Sequence, residues 1–182
     1  MRETYFHEDD YCQVEVLPAT NYEFCRNQLG EIESFSTKHD TGFGWTDMFI
    51  RSDAPTELKS AGLLESDVES ELATYLPKYD RVFTGYSTYR EECKNTIAFG
   101  VNDNFVMYAD IGHGVVTKLW LTIYGLQDSD IANAQRLFDY LSRSHLMLVD
   151  WSMSAIVAFA DSNAVGQYLL EFQADPDTEQ NA

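Results

Sequence analysis

Among the side chains of this 182-residue chain that can shuttle a proton, attack an electrophile or ligate a metal are four histidines, three cysteines and 30 carboxylates. Their densest grouping is His7-Glu8-Asp9-Asp10. An imidazole beside three carboxylates offers oxygen and nitrogen ligands to a cation, or a negative patch to a basic partner. Consecutive residues point in divergent directions, so the run cannot by itself present a coordination shell. No EF-hand loop, H-E-x-x-H or C-x-x-C pattern completes it. It therefore reads as a solvated lead into a strand, with carboxylates free for a partner, and no metal is expected.

Other chemistries fail on similar grounds. His39-Asp40 precedes Thr41-Gly42-Phe43-Gly44-Trp45, but a general base needs a nucleophile within hydrogen-bond reach, which an adjacent acid does not supply. Gly42 and Gly44 are expected to end a helix and shape the next turn. This G-x-G lacks a third glycine and an upstream strand, which excludes a dinucleotide fingerprint. Gly112-His113-Gly114 is no phosphate loop, and neither a Walker A sequence nor a G-x-S-x-G elbow occurs. Asp150, after the apolar Leu148-Val149, is expected to cap or turn a strand end. Cys12, Cys25 and Cys93 are odd in number and widely spaced, so they read as reduced thiols rather than a disulfide framework. No catalytic residue and no cofactor are assigned. The alternative is a small hydrolase in which His7, His39 or His113 meets carboxylates from distant segments.

Charge narrows the partners. Thirty acids against 12 bases give a formal charge of −18 and a pI near 4.3. Nucleic acid is disfavoured because no cationic excess can release its counterions. An anionic membrane surface is disfavoured for the same reason, and no apolar run approaches the roughly 20 residues of a span. A protein with a basic surface is favoured, because opposite fields speed encounter. The expected acidic contacts are Glu8, Asp9, Asp10, Glu31 and Glu33, with Tyr86 and Tyr89 as aromatic anchors. An acidic adaptor that bridges proteins or self-associates is a further alternative.

These residues need elements to position them. Thr20-Asn21-Tyr22-Glu23 predicts a capping box and a helix to about Thr37, with Tyr22, Cys25, Leu29 and Ile32 inward and Glu23, Glu31 and Glu33 outward. Ser66-Asp67-Val68-Glu69 predicts a second box and a short helix with Val68, Leu72 and Tyr75 on one face. A third helix is expected from Asp128 or Ser129, turning Ile131, Ala134, Phe138 and Leu141 inward and ending at Arg143 and His145. A fourth follows Asp161-Ser162, with Val165, Leu169 and Phe172 on one face. Strands are expected at 11–17, 45–51, 81–86, 96–100, 104–110, 115–124 and 146–151. In the first of these, Gln13 and Glu15 should lie on a wet face opposite Cys12, Val14 and Val16. Ala155–Ala160 suits either a strand or the lead into the last helix. The pattern predicts one α+β domain over residues 1–174, with a mainly antiparallel sheet of about six to seven strands and about four helices. Residues 175–182 are expected to form a frayed acidic tail.

The opening Tyr5-Phe6-His7-Glu8-Asp9-Asp10-Tyr11-Cys12-Gln13-Val14-Glu15 and the later Leu148-Val149-Asp150-Trp151 resemble small bacterial proteins encoded beside secreted toxins. Those are the immunity proteins of polymorphic-toxin and contact-dependent systems, including type VI secretion. The resemblance implies a cytoplasmic protein without catalysis that binds a cognate toxin and blocks it. The residues agree with it on acidity, reduced thiols and the absence of a catalytic motif.

Overall fold

The computed structural model describes residues 1–44 and 46–174; Trp45 and the tail expected at 175–182 lie outside them. The strands are β1 (Glu3–His7), β2 (Val14–Pro18), β3 (Arg81–Gly85), β4 (Glu91–Glu92), β5 (Thr96–Gly100), β6 (Phe105–Gly112), β7 (Val115–Ile123), β8 (Leu146–Asp150) and β9 (Ala155–Ala158). Four helices accompany them: α1 (Tyr22–His39), α2 (Glu65–Leu72), α3 (Asp128–Ser142) and α4 (Ser162–Leu170). Six strands form an antiparallel sheet in the order β5-β6-β7-β2-β8-β9, and a smaller sheet runs β1-β3-β4. The chain is a single α+β domain, as its pattern predicts.

The pleat of the large sheet divides its side chains between two different covers. On one face Val16, Phe105, Met107, Leu121 and Leu148 pack against Leu72 of α2, Leu137 and Phe138 of α3, and Leu169 of α4. Each such fully buried side chain is worth about 1.5–3 kcal/mol of apolar burial. The opposite face is roofed twice. Phe6 of β1 and Val82 of β3 cover Ala98, Val106, Tyr108 and Trp120 on the β5-β6-β7 half. Cys25 and Leu29 of α1 cover Leu17, Met147 and Val149 on the β2-β8 half. Tyr108 and Trp120 stack 5.4 Å apart, with Phe6 edge-on to both at 5.1 and 5.3 Å.

Several expectations are corrected. The strand expected at 45–51 is not found: residues 46–51 join no sheet, and Met48 and Ile50 of its apolar run Met48-Phe49-Ile50 are 76% and 81% exposed, so the run gains little burial. The strand expected from Tyr11 begins at Val14, because residues 8–10 form a 3-10 turn and Cys12 takes φ 55°. Neither predicted capping box forms. Asn21 instead exchanges two hydrogen bonds with Thr56, at 2.8 and 3.0 Å, and Leu64 stands at the α2 N-cap. The box that does form joins Gln127 and Asp130 at the start of α3. Tyr22 is exposed rather than inward. Arg143 is the C-cap of α3, and His145 lies beyond it with φ 53°. Ala155–Ala158 is strand β9, and the Asp161 side chain caps α4 by accepting from Asn163 and Ala164 N–H. Strands β1 and β4 were not expected; β1 carries a short alternation with Thr4 and Phe6 buried.

Candidate functional site

The two roofs on the second face leave a seam over the middle of the sheet. Glu15 on β2 lies in that seam, because its register partners Trp120 and Val149 belong one to each roofed half. Its side chain is only 19% exposed, against the wet position expected. The Trp151 indole N–H donates to Glu15 Oε1 at 2.7 Å, and Arg51 Nη1 reaches the same oxygen at 3.4 Å. The Arg51 guanidinium also lies 4.5 Å from the centroid of the Trp151 ring and donates to the Cys12 carbonyl at 3.1 Å. On the other flank, the Tyr11 hydroxyl and Thr96 Oγ1 donate to the two Asp110 oxygens at 2.8 and 2.6 Å, and Lys118 lies over the Tyr11 ring. Glu15, Arg51 and Trp151 on one flank and Tyr11, Asp110 and Lys118 on the other border a cleft of about 880 Å³.

Burial sets the proton affinities here. It raises the Glu15 carboxyl above its ordinary range, against the opposing pull of the Trp151 N–H and the Arg51 charge. Burial, reinforced by the Glu15 charge, pushes the Cys12 thiol up to about 12, and burial pushes Cys25 to about 11. Both thiols are therefore protonated near neutral pH and are weak nucleophiles.

The residues expected to meet a partner fall into two places. Glu8, Asp9 and Asp10 form the 3-10 turn after β1, with the His7 ring accepting from the Asp9 N–H at 3.2 Å. Tyr86 packs edge-on against that His7 ring, 5.1 Å between centroids. Tyr89 is as exposed as Tyr86, 59% each, and its hydroxyl donates to Glu91 at 2.7 Å. Gly85 permits this turn: a Cβ there would come within 2.0 Å of the Tyr89 carbonyl oxygen. The acidic turn and the tyrosine loop thus make one patch. Glu31 and Glu33 are exposed on α1 as expected, but α1 belongs to the other roof, over β2 and β8. Among the described residues the histidines do not converge on a shared acid: His39 stacks on Phe35 and contacts Thr46, and His113 is in the β6–β7 turn with φ 54°.

Sequence reasoning missed Arg51 and placed Glu15 and Trp151 without a role. The one signal was an acid on the polar side of a short strand, with an arginine in the segment after α1 and an aromatic residue at a distant strand end. Among the described residues, no helix is long and apolar enough to cross a membrane, and no three metal-ligating side chains gather. No family model, curated protein or solved structure matches the chain.

Proposed function

We propose that the protein is an immunity protein that binds a cognate secreted toxin in the cytoplasm and covers its basic active site. The observation that carries this reading is the joined patch of Glu8, Asp9 and Asp10 with the half-exposed Tyr86 and Tyr89, on a chain of charge −18. Toxins that act on nucleic acid or nucleotides need cationic clefts, which an acidic surface occupies by mimicking the charge of the substrate. Tyrosine anchors supply contact area at low entropy cost, while carboxylates set the on-rate. The loop holding them is braced. Arg90 lies 3.9 Å from the Phe83 ring centroid and pairs with Glu3 at 3.3 Å, so the anchors lose little freedom on binding.

Co-expression with the product of the adjoining gene tests the reading. The expected result is a co-purifying complex and relief of toxicity. Tyr86→Ala with Tyr89→Ala should weaken that complex by about 2 kcal/mol or more, roughly a thirtyfold rise in Kd. A gene product that neither co-purifies nor changes in toxicity removes the proposal.

A further inference from the structure

The segment from residue 46 to 57 crosses the seam as a strap without entering either sheet. It is tied down at Thr56 by Asn21 and at Ser52, whose N–H donates to Gln28 Oε1 at 3.0 Å. Beside the second tie, Arg51 turns inward and places its guanidinium against three groups of the sheet and its margin. They are the Trp151 ring face at 4.5 Å, the Cys12 carbonyl at 3.1 Å and Glu15 Oε1 at 3.4 Å. An indole face, a carboxylate and a carbonyl acceptor are the features that recognise a planar delocalised cation.

The occupant fits this receptor loosely. A guanidinium–carboxylate pair at its best is two-pronged and about 2.7–2.9 Å long, whereas Arg51 reaches one Glu15 oxygen at 3.4 Å. Burial holds the Glu15 carboxyl above its ordinary range even with Arg51 in place, so its present partners compensate it incompletely. The cleft, about 880 Å³, falls within the roughly 300–1,000 Å³ of small-ligand sites. Along the strap Met48, Ile50, Ser52, Asp53 and Pro55 are exposed, and its apolar hold on the domain beside Arg51 comes from Phe49 against Phe35, 5.5 Å between ring centroids, and from Ala54 against the cluster beneath α1.

We infer that the Glu15–Trp151 seam is a guanidinium-binding site, filled in the free protein by Arg51, which exchanges for the guanidinium of an incoming molecule. The source is either an arginine side chain of another protein or a small guanidino compound; the recognition chemistry is the same. This inference does not rest on the toxin reading. A chain that meets no toxin would still bind guanidinium here, and a toxin could dock on Tyr86 and Tyr89 with the strap closed.

The test follows the indole N–H resonance of Trp151, assigned by its loss in Trp151→Phe, during titration with methylguanidinium. In Arg51→Ala the resonance should shift saturably at millimolar concentrations. The wild-type protein should bind roughly tenfold more weakly or worse, because the tethered Arg51 competes at a high effective concentration. The shift should vanish in Arg51→Ala/Glu15→Gln, and methylammonium, equally charged but not planar, should not reproduce it. N-acetylarginine amide separates the sources: binding as tight as methylguanidinium admits an arginine side chain, and exclusion restricts the site to small solutes. Equal affinity in wild type and Arg51→Ala, or binding that survives Glu15→Gln, overturns the inference. If Arg51→Ala does not fold, Gln28→Ala releases the Ser52 tie with Arg51 retained; tighter methylguanidinium binding then supports the exchange and unchanged binding refutes it.

Discussion

Two acids at neighbouring levels of the same strand pair have opposite fates. Asp150 on β8 is paired with Val14, and Glu15 on β2 with Val149, so the pleat sends them to opposite faces of the sheet. Asp150 is wholly buried. Its Oδ1 accepts from the Ser152 and Met153 N–H groups at 3.0 Å each and from the Ser152 hydroxyl at 2.7 Å. Its Oδ2 accepts from the Tyr168 hydroxyl of α4 at 2.8 Å. Three of those four donors come from the turn immediately following, so the network assembles locally. Glu15 has one short bond, from Trp151, and one long contact, from a strap with no regular structure. A buried acid with both oxygens engaged at short distance fixes a turn. One left partly engaged beneath a removable cover is poised to take another ligand.

The largest expected effect comes from destroying the satisfied acid. Asp150→Ala leaves two backbone N–H groups and the Tyr168 hydroxyl without their acceptor, which should cost about 2–4 kcal/mol. A urea unfolding midpoint lowered with unchanged slope would register that loss. Asp150→Asn keeps one oxygen and should lose less. A loss under about 1 kcal/mol for the alanine variant would mean that the turn stands without its acid, and the contrast would fail.

The intermediate effect is a pH dependence at Glu15. Its folded-state pKa is raised by burial, so the folded chain holds this proton more tightly than the unfolded chain does. The stability contributed is present in full below the unfolded carboxylate pKa of about 4.3 and is lost as pH rises through the folded value. Glu15→Gln cannot lose a proton. The stability difference between wild type and Glu15→Gln should therefore move in favour of the glutamine variant as pH climbs from 4 toward neutrality. Unfolding curves for both proteins at matched pH and salt give that difference. A flat difference would show Glu15 to be as well compensated as Asp150.

The smallest effect belongs to acids in no network. Glu31 and Glu33 are exposed on α1, and exchanging both for Lys should change stability by no more than about 0.5 kcal/mol. If α1 contributes to steering a basic partner, association should slow in this variant. The gap should close as the Debye length shrinks from about 30 Å at 0.01 M to 8 Å at 0.15 M salt. Stopped-flow association rates that match wild type at every salt concentration would confine binding to the patch around Tyr86.

Which parts of this were legible in the sequence follows from the range of each signal. Apolar spacing in α3 puts Ala134, Phe138 and Leu141 in the core, because that pattern reports which side of one element shuns water, and Gly112-His113-Gly114 between two apolar stretches marks the hairpin of β6 and β7. The turn between them takes φ 54° at His113 and 77° at Gly114, a local demand that the glycine meets. The charge of −18 and the outward glutamates of α1 are likewise properties of composition and spacing. The same logic mispredicts residues 46–51, whose short apolar run Met48-Phe49-Ile50 finds no sheet edge, and misses the N-terminal strand, too short to stand out.

The seam depends on tertiary structure alone. Glu15 meets Arg51 across 36 residues and Trp151 across 136. Alternation set Glu15 opposite Val14 and Val16 but expected water on its side; it could not say that β1–β3 and α1 would roof that side and leave only a gap above it. Which cover lands on which face is fixed by the path of the whole chain, since each roof is chosen by apolar area contributed from distant segments. Periodicity reads one element at a time; a site made where two covers fail to meet belongs to none of them.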